Sequence, residues 1–261
     1  MLIWKTGEWR EVRGLSPADR GFLLGDGLFE TMACVEGRVR RLDRHLARLT
    51  RSCRAFGLSF ETFDLGPALP LLTQRAGTDR LALRLSVSVG EGARGLLRPD
   101  PVAPVILLDA SPLTPAPERL SLGVVDIRRE ASSMTVQHKS LSYVDNVMAR
   151  QAARAQGFDM GLMLDARGRV SCADCASLIW SAGGQLKTPS LACAALPGTS
   201  RAHLLDTFEI EEVTADLSEL ERADAVFITN ALMGVVPVER VGAVSIGGDE
   251  ALHRRLQQAL A

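Results

Sequence analysis

Lysine is nearly missing from this 261-residue chain: Lys5, Lys139 and Lys187 stand against 27 arginines. Arginine stays protonated and cannot act as an amine nucleophile near pH 7, whereas a lysine can once its surroundings lower its pKa. Lys5 and Lys187 each precede turn-forming residues, Thr6-Gly7-Glu8 and Thr188-Pro189. Lys139 lies instead in Gln137-His138-Lys139-Ser140-Leu141-Ser142-Tyr143, where a strand-like stretch meets a long helical pattern. That context invites a Schiff-base reading; the plainer reading is a solvated lysine near a helix start.

Other absences exclude whole classes. A formal net charge of −1 and a pI near 6.4 argue against a general nucleic-acid binder. No apolar run reaches the length of a membrane span, and Met1-Leu2-Ile3-Trp4-Lys5 lacks the order of a signal peptide, so a cytoplasmic location is expected. The five cysteines, Cys34, Cys53, Cys172, Cys175 and Cys193, are odd in number and follow no small-scaffold spacing, as in a reducing compartment. Cys172-Ala173-Asp174-Cys175 has C-x-x-C spacing. No second ligand pair at zinc spacing and no thioredoxin-like helix start follow it, so neither a metal nor a redox pair is expected.

A hydrophobic fraction of 46% allows a sizeable core, in one large domain or two ordinary ones. The chain opens as a hairpin, residues 2–4 and 9–12, and a second hairpin pairs 29–35 with 38–41 across Glu36-Gly37. Leu42, Leu46, Leu49, Cys53 and Phe56 share one face of an amphipathic helix, with Asp43 as the expected N-cap and Gly57 beyond its end. Another helix is expected over 67–75, then strands over 80–89 and 102–108. Three prolines between Ala110 and Pro117 favour extended backbone. A linker over 111–118 is therefore expected to separate an N-terminal α/β domain, 1–110, from a second domain, 119–261. There, strands are expected over 120–127, 160–164, 178–180, 185–187, 225–229 and 235–238, and helices over 143–156, 197–208 and 250–260. This mixed α/β order lacks regular βαβ alternation, which argues against a Rossmann domain or a TIM barrel.

Gly25-Asp26-Gly27 leads into a strand rather than a helix, so it lacks what a dinucleotide or phosphate loop requires and reads as a tight turn. Pro197-Gly198-Thr199-Ser200 puts two hydroxyl residues at a helix start, which is either an ordinary cap or a phosphate cradle. Thr229-Asn230-Ala231 follows a strand and offers a second set of donors. Arg48, one turn after His45, is either solvated or a phosphate ligand.

In this order, Arg44-His45-Leu46 with Arg48-Leu49, Lys139-Ser140-Leu141 with Tyr143, Val170 with Cys172-Ala173, Pro197 to Arg201 and Thr229 to Met233 form one series. The chain resembles the class IV aminotransferases, pyridoxal-phosphate enzymes of fold type IV, from Asp19-Arg20-Gly21 to Pro237-Val238. Thr229-Asn230-Ala231-Leu232-Met233 followed by Val236-Pro237-Val238 favours the family's aminodeoxychorismate lyase branch. That branch makes 4-aminobenzoate and pyruvate for folate synthesis; the alternative is an aminotransferase for D- or branched-chain amino acids. The resemblance implies a mixed α/β fold with an N-terminal α/β sandwich lobe and a C-terminal pseudo-barrel lobe that binds pyridoxal 5′-phosphate. It also implies a homodimer acting on a small-molecule substrate. Lys139 would be the Schiff-base and acid–base residue. Arg48, Thr199, Ser200, Asn230 and Ala231 would hold the phosphate, and Phe29 would line the substrate side. Arg94, in Gly92-Ala93-Arg94-Gly95, would fork onto a substrate carboxylate or stay a solvated loop arginine.

The pattern is broken at one telling place. Two residues after Val170 the family has a glutamate that pairs with the pyridine nitrogen; here that position is Cys172, and Ser177 replaces a common asparagine downstream. A thiol, with a reference pKa of about 8.5, holds a ring proton poorly. The implied electron sink is therefore weaker, which harms transamination more than an elimination that ends in an aromatic ring.

Overall fold

A computed structural model describes residues 1–59 and 63–260. Its contacts divide the chain into two compact units, Met1–Thr114 with Lys139–Ser142, and Pro115–His138 with Tyr143–Ala261.

The first unit is built on an antiparallel sheet of β1 (Leu2–Lys5), β2 (Glu8–Glu11), β3 (Gly27–Val35), β4 (Arg38–Val39), β5 (Arg80–Ser88) and β6 (Val105–Pro112). Their order is β2-β1-β6-β5-β3-β4. Alternation in β5 sends Leu81, Leu83, Leu85 and Val87 to one face, where none is exposed. The register sets Leu28, Met32 and Cys34 of β3 opposite Val87, Leu83 and Leu81 on the same face. Helices α2 (Leu42–Ala55) and α3 (Leu69–Ala76) cover it with Leu49, Cys53, Leu69 and Leu72. Each such side chain contributes about 1.5–3 kcal/mol by leaving water.

Three local expectations change. The cap of α2 is Arg41, in a left-handed conformation at φ 51°, because the chain turns straight from β4 into the helix. Asp43 sits inside the first turn, where its charge still favours the helix N-terminus. Strand β6 runs on to Pro112, pairing it with Leu81, so extended backbone at the start of the proline-rich stretch is recruited into the sheet. The short helix α1 (Arg20–Leu24), capped by Asp19, has no counterpart in the sequence expectations.

The chain returns to this sheet for four residues. Phe29 N–H donates to the Lys139 carbonyl at 2.8 Å and Leu141 N–H to the Gly27 carbonyl at 2.9 Å, so the lysine segment lies along the free edge of β3. Gly25, before β3, and Gly27, its first residue, make room for it. A Cβ on Gly27 would lie 2.7 Å from Leu141 Cδ1 and 2.4 Å from the Val87 carbonyl oxygen. One on Gly25, at φ 66°, would lie 2.5 Å from Ser142 Oγ.

The second unit holds β7 (Leu120–Val124), β8 (Met160–Leu164), β9 (Val170–Ala173), β10 (Ser177–Ala182), β11 (Gln185–Pro189), β12 (Ile210–Val213), β13 (Ala225–Asn230), β14 (Gly234–Val241) and β15 (Val244–Ser245). The order is β12-β11-β10-β13-β14-β7-β8-β9, with β15 on β14. One apolar cluster draws Leu122, Leu162, Val170, Trp180, Val226 and Val238 from six of these strands, so the sheet curls around it. On the outer face, α6 (Thr199–Thr207) and α8 (Glu250–Ala259) cover Ile179 and Phe227. There too α5 (Val144–Ala155) places Ala149 and Ala153 with Met163 and Cys172. Two short helices, α4 (Met134–Gln137) and α7 (Leu217–Glu221), complete the unit. No helix among the described residues is long and apolar enough to cross a membrane.

Because Gly27 faces backbone on one side and the lysine segment on the other, Gly27→Ala should cost about 1–3 kcal/mol by overpacking. Chemical denaturation measures it, and unchanged stability would show that the edge can move aside.

Candidate active site

In the first unit the lysine segment brings Lys139 to Phe29. The ammonium nitrogen lies 4.2 Å from the Phe29 ring centroid, and the Arg84 guanidinium carbon lies 3.9 Å from the same centroid. Phe29 is buried, so the ring is a fixed wall.

Glu30, the next residue along β3, points to the opposite face and gathers Arg48 and His45 from α2. Arg48 donates from Nε to Glu30 Oε1 at 2.7 Å and from Nη2 to Oε2 at 2.5 Å; His45 Nδ1 lies 2.7 Å from Oε2. Burial alone would raise the Glu30 carboxyl, but the bonds from Arg48 and His45 outweigh it and hold it below the usual carboxylate range. Burial pushes His45 below the ordinary histidine range against the pull of Glu30, so the ring is neutral at pH 7 and Nδ1 donates. Glu30 thus fixes the direction of the Arg48 guanidinium.

Arg94 is exposed, on a loop whose backbone is held from beneath. Arg20, buried, donates to the carbonyls of Gly95, Leu96 and Leu97 at 3.0, 3.0 and 3.2 Å, and to Asp26 at 3.0 Å. Arg98 grips the same Asp26. Burial would raise the Asp26 carboxyl; the two arginines prevail and lower it.

In the second unit, Thr199 and Ser200 form the first turn of α6, capped by Gly198 with no side-chain cap. A Cβ on Gly198 would lie 2.6 Å from Ser177 Oγ. Ser200 Oγ and Thr229 Oγ1 are both buried without a hydrogen-bond partner. Buried hydroxyls lacking partners are costly, and an anion at the start of α6 would accept from them. These residues fit the phosphate of the cofactor implied by resemblance.

The side chain of Asn230 is engaged within its own loop. Its side-chain oxygen accepts from Leu232 N–H at 3.0 Å and Met233 N–H at 2.9 Å, and its amide donates to the Cys175 carbonyl at 3.3 Å. The side chain therefore folds the loop instead of offering a donor, because an asparagine at a strand end closes on its own backbone. Cys172 lies in β9 and packs with Val125, Ala149, Ala153 and Met163. Next to it, buried Asp174 takes both Arg150 donors at 2.7 and 2.6 Å and the Gly161 N–H at 2.7 Å. Neither Cys172, which is buried, nor Cys175, which is exposed, is in a disulfide.

Sequence reasoning missed Glu30, Arg20, Asp26 and Arg84. Glu30 carried one usable signal: a lone acid in an otherwise apolar strand.

A family model described as amino-transferase class IV matches residues 27–241. An aminodeoxychorismate lyase of Bacillus subtilis is 27% identical over 261 aligned positions, covering 94% of this chain and 88% of that protein. A D-alanine aminotransferase of Bacillus licheniformis is 28% identical over 253 positions, covering 93% and 89%. Among solved structures, a 4-amino-4-deoxychorismate lyase of Pseudomonas aeruginosa superposes with a TM-score of 0.84 at 33% identity, over 99% of this chain and 98% of that one. The mixed α/β fold expected from the sequence is the fold these structures share.

The Glu30 cluster sets a pH dependence. Below about pH 6.5 the unfolded chain protonates its histidines while folded His45 resists, and below about pH 4.3 the same holds for Glu30. Both lose stability on acidification. The denaturation midpoint should fall between pH 7 and 5, less steeply in His45→Gln; an unchanged slope in that variant would assign the dependence elsewhere.

Proposed function

Because the chain belongs to the amino-transferase class IV family, whose members use pyridoxal 5′-phosphate, we propose that it is a lyase converting 4-amino-4-deoxychorismate to 4-aminobenzoate and pyruvate. The cofactor, when bound, supplies an electron sink for negative charge at the substrate carbon that bears the amine. The protein must hold that group, present an amine to it and move one proton.

Lys139 presents the amine. Its backbone is fixed on the edge of β3 and its Nζ rests on the Phe29 ring. Lys139 Nζ would take the proton from the substrate carbon that bears the amine; the bond from the neighbouring carbon to the enolpyruvyl oxygen then breaks, the ring becomes aromatic, and the released enolpyruvate takes up a proton to become pyruvate. In the second unit, Thr199, Ser200 and the backbone of Asn230 and Ala231 would hold the phosphate; Arg48, in the first, is by resemblance a phosphate ligand, and Glu30 orients it. Arg94 meets a substrate carboxylate from the loop that Arg20 anchors.

Cys172 carries the choice of a lyase. Full transamination needs a ring nitrogen that stays protonated through both half-reactions. Cys172, packed among Val125, Ala149, Ala153 and Met163, supplies no carboxylate at the position where the family pairs that nitrogen. Elimination with aromatisation has its own driving force and tolerates the loss. The D-alanine aminotransferase relative supports the second reading, an aminotransferase for D- or branched-chain amino acids. A homodimer would cover Leu96 and Leu97, 84% and 91% exposed in the single chain.

Loaded with cofactor, the protein should release 4-aminobenzoate from aminodeoxychorismate, and Lys139→Ala should lose at least about 1000-fold of that rate. Cofactor binding with no product would favour the aminotransferase. Cys172→Glu should raise amino transfer to a 2-oxo acid relative to lyase turnover; no gain would remove Cys172 from the argument.

A further inference from the structure

We propose that the terminal helix α8 braces the phosphate-binding end of the second unit, with Gln257 as the positioning residue that sets the turn at Asn230 and Ala231. The inference rests on the reading that Thr199, Ser200 and this turn hold the cofactor's phosphate, and it adds residues that act through the turn.

One face of α8 carries His253, Leu256, Gln257 and Leu260, spaced i, i+3, i+4 and i+7. Leu256 and Leu260 are buried in one apolar cluster with Leu204 of α6 and Val235 of β14. The two polar side chains meet a single residue of β14. Gln257 Oε1 accepts from Val235 N–H at 2.7 Å, and His253 Nε2 donates to the Val235 carbonyl at 3.0 Å. Strand β7 starts opposite Val238 and does not reach Val235, so among the described residues α8 takes the place of a neighbouring strand there. Stacking on Phe227 of β13 holds the His253 ring, with centroids 6.1 Å and planes 16° apart.

Val235 directly follows the turn. Asn230 folds that turn from within by accepting from Leu232 and Met233 N–H, and Gly234 closes it at φ 70°. A Cβ on Gly234 would lie 2.4 Å from Gln257 Oε1 and 2.8 Å from Nε2, so the Gln257 amide sits against the last residue of the turn. The same helix holds α6. His203, one turn beyond Ser200, donates from Nε2 to the Ala259 carbonyl at 3.0 Å, and Leu204 packs into the shared cluster. One helix therefore touches both elements that carry phosphate donors and fixes the space between them. An anion gains from both sets of donors only where that spacing is held. Its Kd rises as the fraction of molecules with the turn in place falls.

The test measures the dissociation constants of pyridoxal 5′-phosphate and of pyridoxal, which lacks the phosphate, by equilibrium dialysis against the full-length protein. Their ratio isolates the phosphate, since both ligands offer Lys139 the same aldehyde. Gln257→Leu loses the acceptor and should lower the preference for the phosphate form by about three- to tenfold, the equilibrium effect of one hydrogen bond. Gln257→Glu keeps an acceptor for Val235 N–H and should stay within about twofold of wild type. A merely structural role would weaken both ligands alike and leave the ratio unmoved. An unmoved ratio in Gln257→Leu, with Ser200→Ala lowering it, overturns the brace and leaves the phosphate assignment standing. A ratio unmoved in Ser200→Ala removes that assignment and the brace with it. Should Gln257→Leu not fold, Gln257→Asn, one methylene short of Val235 N–H, must show the same fall or the proposal fails.

Discussion

The site depends on a pair of backbone hydrogen bonds. By pairing with Gly27 and Phe29 at the edge of β3, the segment from Lys139 to Leu141 becomes part of a sheet whose other face is an apolar core. A lysine on a loop would sample many positions; a lysine on a paired strand has its Cα set by the ladder and only its side chain left to place. The bare Cα atoms of Gly25 and Gly27 make the pairing possible, and Asp26 between them holds Arg20 and Arg98. One three-residue turn thus seats the lysine segment and, through Arg20, the loop that carries Arg94.

Fixed charge is the second constraint. The chain places arginine at nearly every cationic position, and two of the buried ones are matched to acids: Arg48 with Glu30 and Arg20 with Asp26. Buried pairs of this kind stabilise little in net terms, but removing one partner strands the other. Their effect is to orient. Lys139 is placed against an aromatic wall that it shares with Arg84.

Much of the fold was legible because its signals are periodic. The alternation of β5 and the apolar stripe of α2 both reflect a single buried face, and Met160–Leu164 was read to the residue. Helix α1 was hidden because Phe22, Leu23 and Leu24 are all exposed, so no apolar face shows in the sequence. Strand β12, Ile-Glu-Glu-Val, is a short polar edge that exists by pairing in parallel with β11. At the site, the scarcity of lysine made Lys139 visible from composition alone. The Glu30, His45 and Arg48 cluster was not visible, because a charge pair joined across two elements leaves no spacing to count. How the Asn230 side chain is used was hidden for a related reason: residue type offers donors, and only the folded loop shows where they go.

The most direct test of the account is borohydride reduction of the protein loaded with pyridoxal phosphate, followed by peptide mapping of the adduct by mass spectrometry. The account predicts a single modified lysine, Lys139, since its segment alone is fixed on β3 beside Phe29. Modification centred on Lys5 or Lys187, or none above the level of a non-binding control protein, would contradict it.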